Sequence, residues 1–250
     1  MKIPATSRSR GFTLLETVIA IGVLAVLLTG FMIVFAPAAA GIKRSIKIQE
    51  ADRLTSTLEQ ELVTLRSGQA TATIVTGFDK AFDWIQKSNT ATDALMIYQY
   101  RGDLSKQPRT DGTLEPLENI KDKTPGKDYA VQAIVRRKSD TTLFTADLKA
   151  LEGGVYYVKC TQLGFEGGTL ALGDLGKIVD PKLTSPPKVK DRPAILKALD
   201  YPEAVIAFAA DFYALPATSA GYFGSSGRFD TAFAKTGQKP IFTRNLAVRR

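Results

Sequence analysis

Residues 10–42 read RGFTLLETVIAIGVLAVLLTGFMIVFAPAAAGI, and a single carboxylate, Glu16, stands at the head of a run from Thr17 to Ile42 with no ionisable side chain. The 25 uncharged residues from Thr17 to Gly41 rise about 1.5 Å each as a helix, ~38 Å in all, enough to cross a hydrocarbon core of about 30 Å. An acid inside such a helix costs on the order of 3 kcal/mol on insertion scales, so it calls for a functional reason and a cationic partner. Cleavage after Gly11 would create one, an α-ammonium on Phe12, and the Glu16 carboxylate of a neighbouring copy would pair with it. At contact distance and an effective dielectric of about 20 the attraction is several kcal/mol, enough to offset the burial. The stretch therefore reads as an assembly signal as well as a membrane segment.

The order of features is a basic leader (Lys2, Arg8, Arg10), then Gly11, Phe12, Thr13, Leu14, Leu15, Glu16 and an apolar helix. This resembles the type IV pilin and pseudopilin family over residues 8 to 67. The resemblance implies an α+β fold, a long N-terminal α-helix packed on an antiparallel β-sheet domain. It implies that prepilin peptidase cuts between Gly11 and Phe12 and methylates the Phe12 amine. Glu16, with Thr13 beside it, becomes the assembly residue that neutralises the Phe12 ammonium of an adjacent subunit. The chain then waits in the bacterial inner membrane as a single-pass protein with its globular domain in the periplasm. Its partners are other pilin or pseudopilin subunits and an inner-membrane platform with its ATPase, which stack it into a type IV pilus or a type II secretion pseudopilus. On this reading it is a structural subunit, not an enzyme, and carries no cofactor. The 239 residues left after cleavage exceed a compact major pilin, which points to a minor or specialised subunit.

Two alternatives stand beside this one. An ordinary secretory signal would be cut after the apolar run, where Ala36-Pro37-Ala38-Ala39-Ala40 offers small residues, but would leave Glu16 unexplained. A membrane-anchored extracytoplasmic binding protein or hydrolase that never polymerises also fits one anchor and one globular domain.

Composition narrows the chemistry. At 250 residues, 44% hydrophobic and 23% charged, the chain fits a membrane segment and one folded domain. There is no histidine, which excludes His-dependent triads and His metal sites within the chain. The lone Cys160 cannot form an intramolecular disulfide, so the C-terminal disulfide loop of many pilins has no counterpart and that region must close another way. Cys160 falls at a buried position of an alternating strand and reads as inert. Neither D-[ST]-G, CxxC, HExxH nor EF-hand spacing occurs. Asp174 and Asp180 lie near a glycine-rich turn, and some pseudopilins bind calcium in their C-terminal loops, but these carboxylates are too few and too spread, and ordinary turn aspartates explain them better. The formal charge of +8 permits a nucleic-acid partner without arguing for one, since the basic residues are scattered, with Arg136-Arg137-Lys138 and Arg249-Arg250 among the few tight clusters.

Four segments follow from the patterning: a leader at 1–11, a membrane or filament-core helix at 12–41, an amphipathic half of the same helix at 42–67, and a globular domain at 68–250. Pro37 removes an N–H and crowds the carbonyl of Ile33, and Gly30 lowers helix propensity, so a kink or local unwinding is expected there. In the family, glycine and proline in this part of the helix mark a segment that loosens in the filament, although Pro37 lies later than the common proline. Ile42, Ile46, Leu54, Leu58, Leu62 and Leu65 recur at helical steps, and Gly68 suits a C-cap. Phe78–Lys87 reads as a short helix; 93–100, 129–137 and 154–163 read as strands, 204–215 is an apolar run, and 241–250 could supply a last edge strand. Thr71–Thr76 is a short β-branched run, and 141–150 is open between helix and strand. Gly167–Gly176 reads as a hairpin, 102–127 as a long surface excursion, and 180–193, with its four prolines, as a stiff exposed linker.

Overall fold

The computed structural model describes residues 13–224, 228–235 and 237–250. The chain divides into two units, one through Ile46 and the other from Lys47 to Arg250. Helix α1 (Leu14–Val63) begins in the first and ends in the second, and its helical backbone is continuous through Gly30 and Pro37. The N–H missing at Pro37 removes the bond to the Ile33 carbonyl without interrupting that run.

The second unit holds α2 (Gly77–Lys87), β1 (Leu95–Asp103), β2 (Glu115–Pro116), β3 (Tyr129–Arg137), α3 (Thr141–Leu148) and β4 (Leu151–Glu166). After these come β5 (Thr169–Leu172), β6 (Val205–Ala214), α4 (Ala220–Phe223), α5 (Arg228–Ala234) and β7 (Phe242–Arg249). All strand pairings are antiparallel, in the order β2-β1-β4-β6-β7; β3 pairs along the whole of β1, and β5 pairs with the far end of β4. The helix-on-antiparallel-sheet architecture expected from the N-terminus is the one observed.

The sheet is buried on both faces, which the expected fold did not include. Leu54, Leu58 and Leu62 of α1 and Phe78, Phe82 and Ile85 of α2 pack against Leu95, Ile97, Tyr156, Val158 and Phe212. On the reverse, Met96, Tyr98, Tyr100, Val155 and Tyr157 meet Phe144 of α3, Phe223 of α4 and Phe229 and Phe233 of α5. Alternate residues of one strand point to opposite faces, so the first half of β1, Leu95–Tyr98, is apolar at every position because both of its faces are dry.

Helix α1 stops at Val63, four residues short of the expected end, and Gly68 (φ +84°) serves a turn beyond it. The reason lies in α2: Gly77 packs so closely that a Cβ there would run into the Val63 carbonyl. Lys80, fully buried, donates from Nζ to the Thr64 carbonyl at 2.6 Å and to Glu61 at 2.7 Å, capping the end of α1 with a side chain. Burial lowers the Lys80 pKa despite the opposing pull of Glu61. Thr71–Thr76 forms no strand; Thr76 instead opens α2 through a capping box with Asp79.

Glu50 pins α1 to the sheet. Its carboxylate accepts from the Gly154 N–H at 2.8 Å and the Tyr156 hydroxyl at 2.6 Å. Gly153 has φ +78°, and a Cβ there would strike the Glu50 carboxylate. Gly153→Ala is therefore expected to combine left-handed strain of about 1–2 kcal/mol with loss of bonds to a charged group, about 1.5–3 kcal/mol. A denaturation midpoint shift worth ~2.5–5 kcal/mol checks this, and an unchanged midpoint refutes it.

The C-terminal region closes without a disulfide. β7 pairs with β6 over Phe242–Arg249, and Arg250 donates to the Ala198 and Tyr201 carbonyls while lying 4.6 Å from the Phe78 ring centre. Cys160 is free and buried, and burial pushes its thiol pKa up to about 12. The proline-rich segment 180–193 is largely exposed, as expected, but is tied down at three buried residues, Pro181, Val189 and Arg192. Arg192 is 1% exposed, and its guanidinium donates to the carbonyls of Phe165, Asp180, Pro181, Pro186 and Pro187. One inward arginine thus gathers carbonyls that the prolines, lacking N–H groups, leave without ladder partners.

Candidate functional site

Gly11 and Phe12, the expected cleavage and methylation residues, lie outside the described residues; Thr13 and Glu16 lie within them. Thr13 caps α1. Its Oγ1 accepts from the Glu16 N–H at 3.2 Å, and Glu16 Oε2 accepts from the Thr13 N–H and Oγ1, each at 3.3 Å. This reciprocal pair is a capping box, in which a residue three places into the helix reaches back to satisfy an orphan donor. Thr17 tightens the turn by donating from its hydroxyl to the Thr13 carbonyl at 3.0 Å.

The box holds the carboxylate at the positive end of the helix macrodipole, where an anion is favoured. Among the described residues Glu16 has no cationic partner. Beyond it α1 has a mean hydropathy of 2.8 over its most apolar 18 residues, none of them buried. By length and apolarity this part of α1 can cross a membrane. Its side chains, Leu14, Val18, Ile21, Leu24, Leu28 and Phe31 among them, are all more than half exposed. The site is thus an oriented carboxylate, without a cationic partner among the described residues, at the head of an apolar helix that the described residues leave uncovered.

The globular unit offers chemistry of another kind. Asp147 of α3, fully buried, accepts from Tyr98 Oη at 2.8 Å, Arg136 Nε at 2.8 Å and Arg109 at 2.7 Å. Arg136 also meets Asp111 at 2.7 Å and Thr113 at 3.0 Å. Burial raises the Tyr98 phenol pKa, reinforced by Asp147, while the two acids hold the Arg136 guanidinium firmly charged. Each charge already has its opposite, so the cluster fastens residues 104–114 to α3 and β3 rather than activating a proton or nucleophile. Patterning along the chain could not reveal it, because its members come from four separate segments.

The basic cluster Arg136-Arg137-Lys138 is likewise consumed within the fold. Arg137 reaches Asp83 at 3.3 Å, and Lys138 reaches Asp230 at 2.6 Å. Asp180 Oδ1 accepts the Lys182 N–H, an aspartate turn, and among the described residues no group of three His, Cys, Asp or Glu is placed to hold a metal ion. A cavity of about 200 Å³ between α3 and α4 is lined by Thr92, Lys138, Ser139, Thr141, Phe144 and Phe223.

Residues 6–32 match the family described as the prokaryotic N-terminal methylation motif, the leader of type IV pilins and pseudopilins. No curated protein and no solved structure matches the chain. The chain therefore carries the processing signal of a type IV pilin-like precursor on a membrane-span-like helix, and that signal implies processing by prepilin peptidase and assembly with other pilins.

Proposed function

We propose that this chain is a structural subunit, a minor pilin or pseudopilin, of a type IV pilus or type II secretion pseudopilus. Prepilin peptidase cuts between Gly11 and Phe12 and methylates the new amine. The subunit rests in the inner membrane with its globular domain in the periplasm until a platform and ATPase draw it into a filament. It performs no catalysis. The observation that carries this reading is Glu16, held by Thr13 at the head of an exposed apolar helix and without a cationic partner among the described residues. The Phe12 ammonium of an adjacent subunit supplies that cation, and packing of α1 against other copies removes the apolar face from lipid without exposing it to water.

Intact mass and N-terminal analysis of the membrane-extracted protein test this. The expected chain starts at N-methylated Phe12. A start at Met1, or after the Ala38–Ala40 cluster, overturns the assignment and favours an anchored protein that does not polymerise.

A further inference from the structure

The first ionisable side chains after the uncharged run are all cations, Lys43, Arg44 and Lys47, and no acid stands between Glu16 and Glu50. Lysine and arginine gather on the cytoplasmic flank of a membrane helix, so a cluster beyond the run offsets the orienting effect of Lys2, Arg8 and Arg10 and needs a reason. The described chain supplies no partner for it. Lys43, Arg44 and Lys47 are exposed, and among the described residues no side-chain hydrogen bond or ion pair reaches any of them. The same helix on an adjacent copy has little to offer. Of the acids beyond Glu16 on α1, Glu50 is taken by Gly154 and Tyr156, Asp52 meets Arg244 at 3.7 Å, and Glu61 lies between Lys80 and Arg66. Glu59 alone among them is without a partner in the described residues, one acid against three cations.

The place of the cluster points to lipid. The 25 uncharged residues from Thr17 to Gly41 rise ~38 Å against a hydrocarbon core of about 30 Å, and the excess is close to the depth of one headgroup layer, about 5–7 Å. With the run filling the core, Lys43 and Arg44 stand at headgroup level, where lipid phosphates are the nearest anions. Long basic side chains lay their stems along apolar surface and keep the charge in the polar layer. Ile42 and Ile46, 62% and 57% exposed, provide apolar surface beside them. We propose that Lys43, Arg44 and Lys47 bind the headgroups of anionic phospholipids. A zwitterionic headgroup also holds a phosphate, but its ammonium cancels the charge, so three cations together select the anionic class. The contact requires only that α1 spans a membrane; its placement in the periplasmic leaflet rests on the subunit reading above. There it fixes the depth of α1, and it has to be given up when the subunit leaves the bilayer for a filament.

Native mass spectrometry of the full-length chain in detergent, titrated with equimolar phosphatidylglycerol and phosphatidylcholine, tests the contact. Phosphatidylglycerol adducts are expected to outnumber phosphatidylcholine adducts by about tenfold or more at low salt, and the preference to shrink as salt screens the charges. A variant carrying Lys43→Gln, Arg44→Gln and Lys47→Gln is expected to lower the preference by about fivefold or more while keeping its phosphatidylcholine adducts. Lys106→Gln, Lys121→Gln and Lys127→Gln remove the same charge from exposed positions of the surface excursion and are expected to leave the preference in place. No preference in the wild type, a loss below about twofold in the first variant, or equal losses in both variants overturns the proposal. A wild type without the preference whose first variant nonetheless fails to enter filaments would assign the cations to acids of another copy instead. N-terminal mass from the same sample separates the two readings. A chain starting at methylated Phe12 that shows no preference sinks the lipid contact alone. A chain starting at Met1 that shows the preference and loses it in the first variant keeps the contact and sinks the filament assignment.

Discussion

Asp147→Ala is expected to lower the stability of the globular unit by about 3–5 kcal/mol, the range for removing one partner of a buried ion pair. The argument is one of what remains. Arg109 and Arg136, 6% and 3% exposed, would lose the carboxylate between them, and the Tyr98 hydroxyl would lose its acceptor at full burial. Asp111 would still neutralise part of Arg136, so the loss falls short of two isolated buried charges. Asp147→Asn keeps the volume and one acceptor oxygen and is expected to lose less. Guanidinium denaturation followed at Trp84 measures both; a loss below about 1 kcal/mol for Asp147→Ala would show that water reaches the arginines. The same cluster predicts acid sensitivity. Burial pushes the Asp111 carboxyl up, but bonds from Thr113 and Arg136 outweigh it and hold its pKa below the ordinary value. A depressed folded pKa contributes stability above the unfolded value of about 4 that is lost as pH falls through the folded one.

The elements legible in the sequence are those whose information is local. Alternation and β-branching mark β3 at residues 129–137, the very span observed, and the spacing of Phe78, Phe82 and Ile85 marks α2 within one residue. The apolar period of α1 is legible too, but its end is not, because Val63 is halted by Gly77 and Lys80 from a later helix. What stays hidden are single charged side chains that turn inward from exposed segments. Arg192 anchors the mostly exposed 180–193, and Arg109 and Asp111 anchor the surface excursion after β1. A polar residue facing a distant partner looks, along the chain, like one facing water. Glu16 was legible for the opposite reason: it breaks an apolar run, and the misplaced charge is itself the signal.

Glu16→Gln is expected to leave processing unchanged and to lower incorporation into filaments at least tenfold. The substitution separates the two things the carboxylate does. Glutamine also completes a capping box, so the bonds with Thr13 can persist and α1 begins where it does now. What is lost is the charge that would meet the Phe12 ammonium of the adjacent copy. Inside lipid such a pair is worth several kcal/mol before desolvation, and a tenfold loss needs only about 1.4 kcal/mol of it to survive as net stabilisation. Thr13→Ala makes the converse change, removing a cap worth about 1 kcal/mol while keeping the charge. It is expected to reduce incorporation much less than Glu16→Gln. The readouts are N-terminal mass for processing and the sheared-filament or cross-linked-oligomer fraction for assembly. Wild-type incorporation of processed Glu16→Gln would mean that the carboxylate serves the helix N-terminus alone, and the charge pairing assigned to it would have to be abandoned.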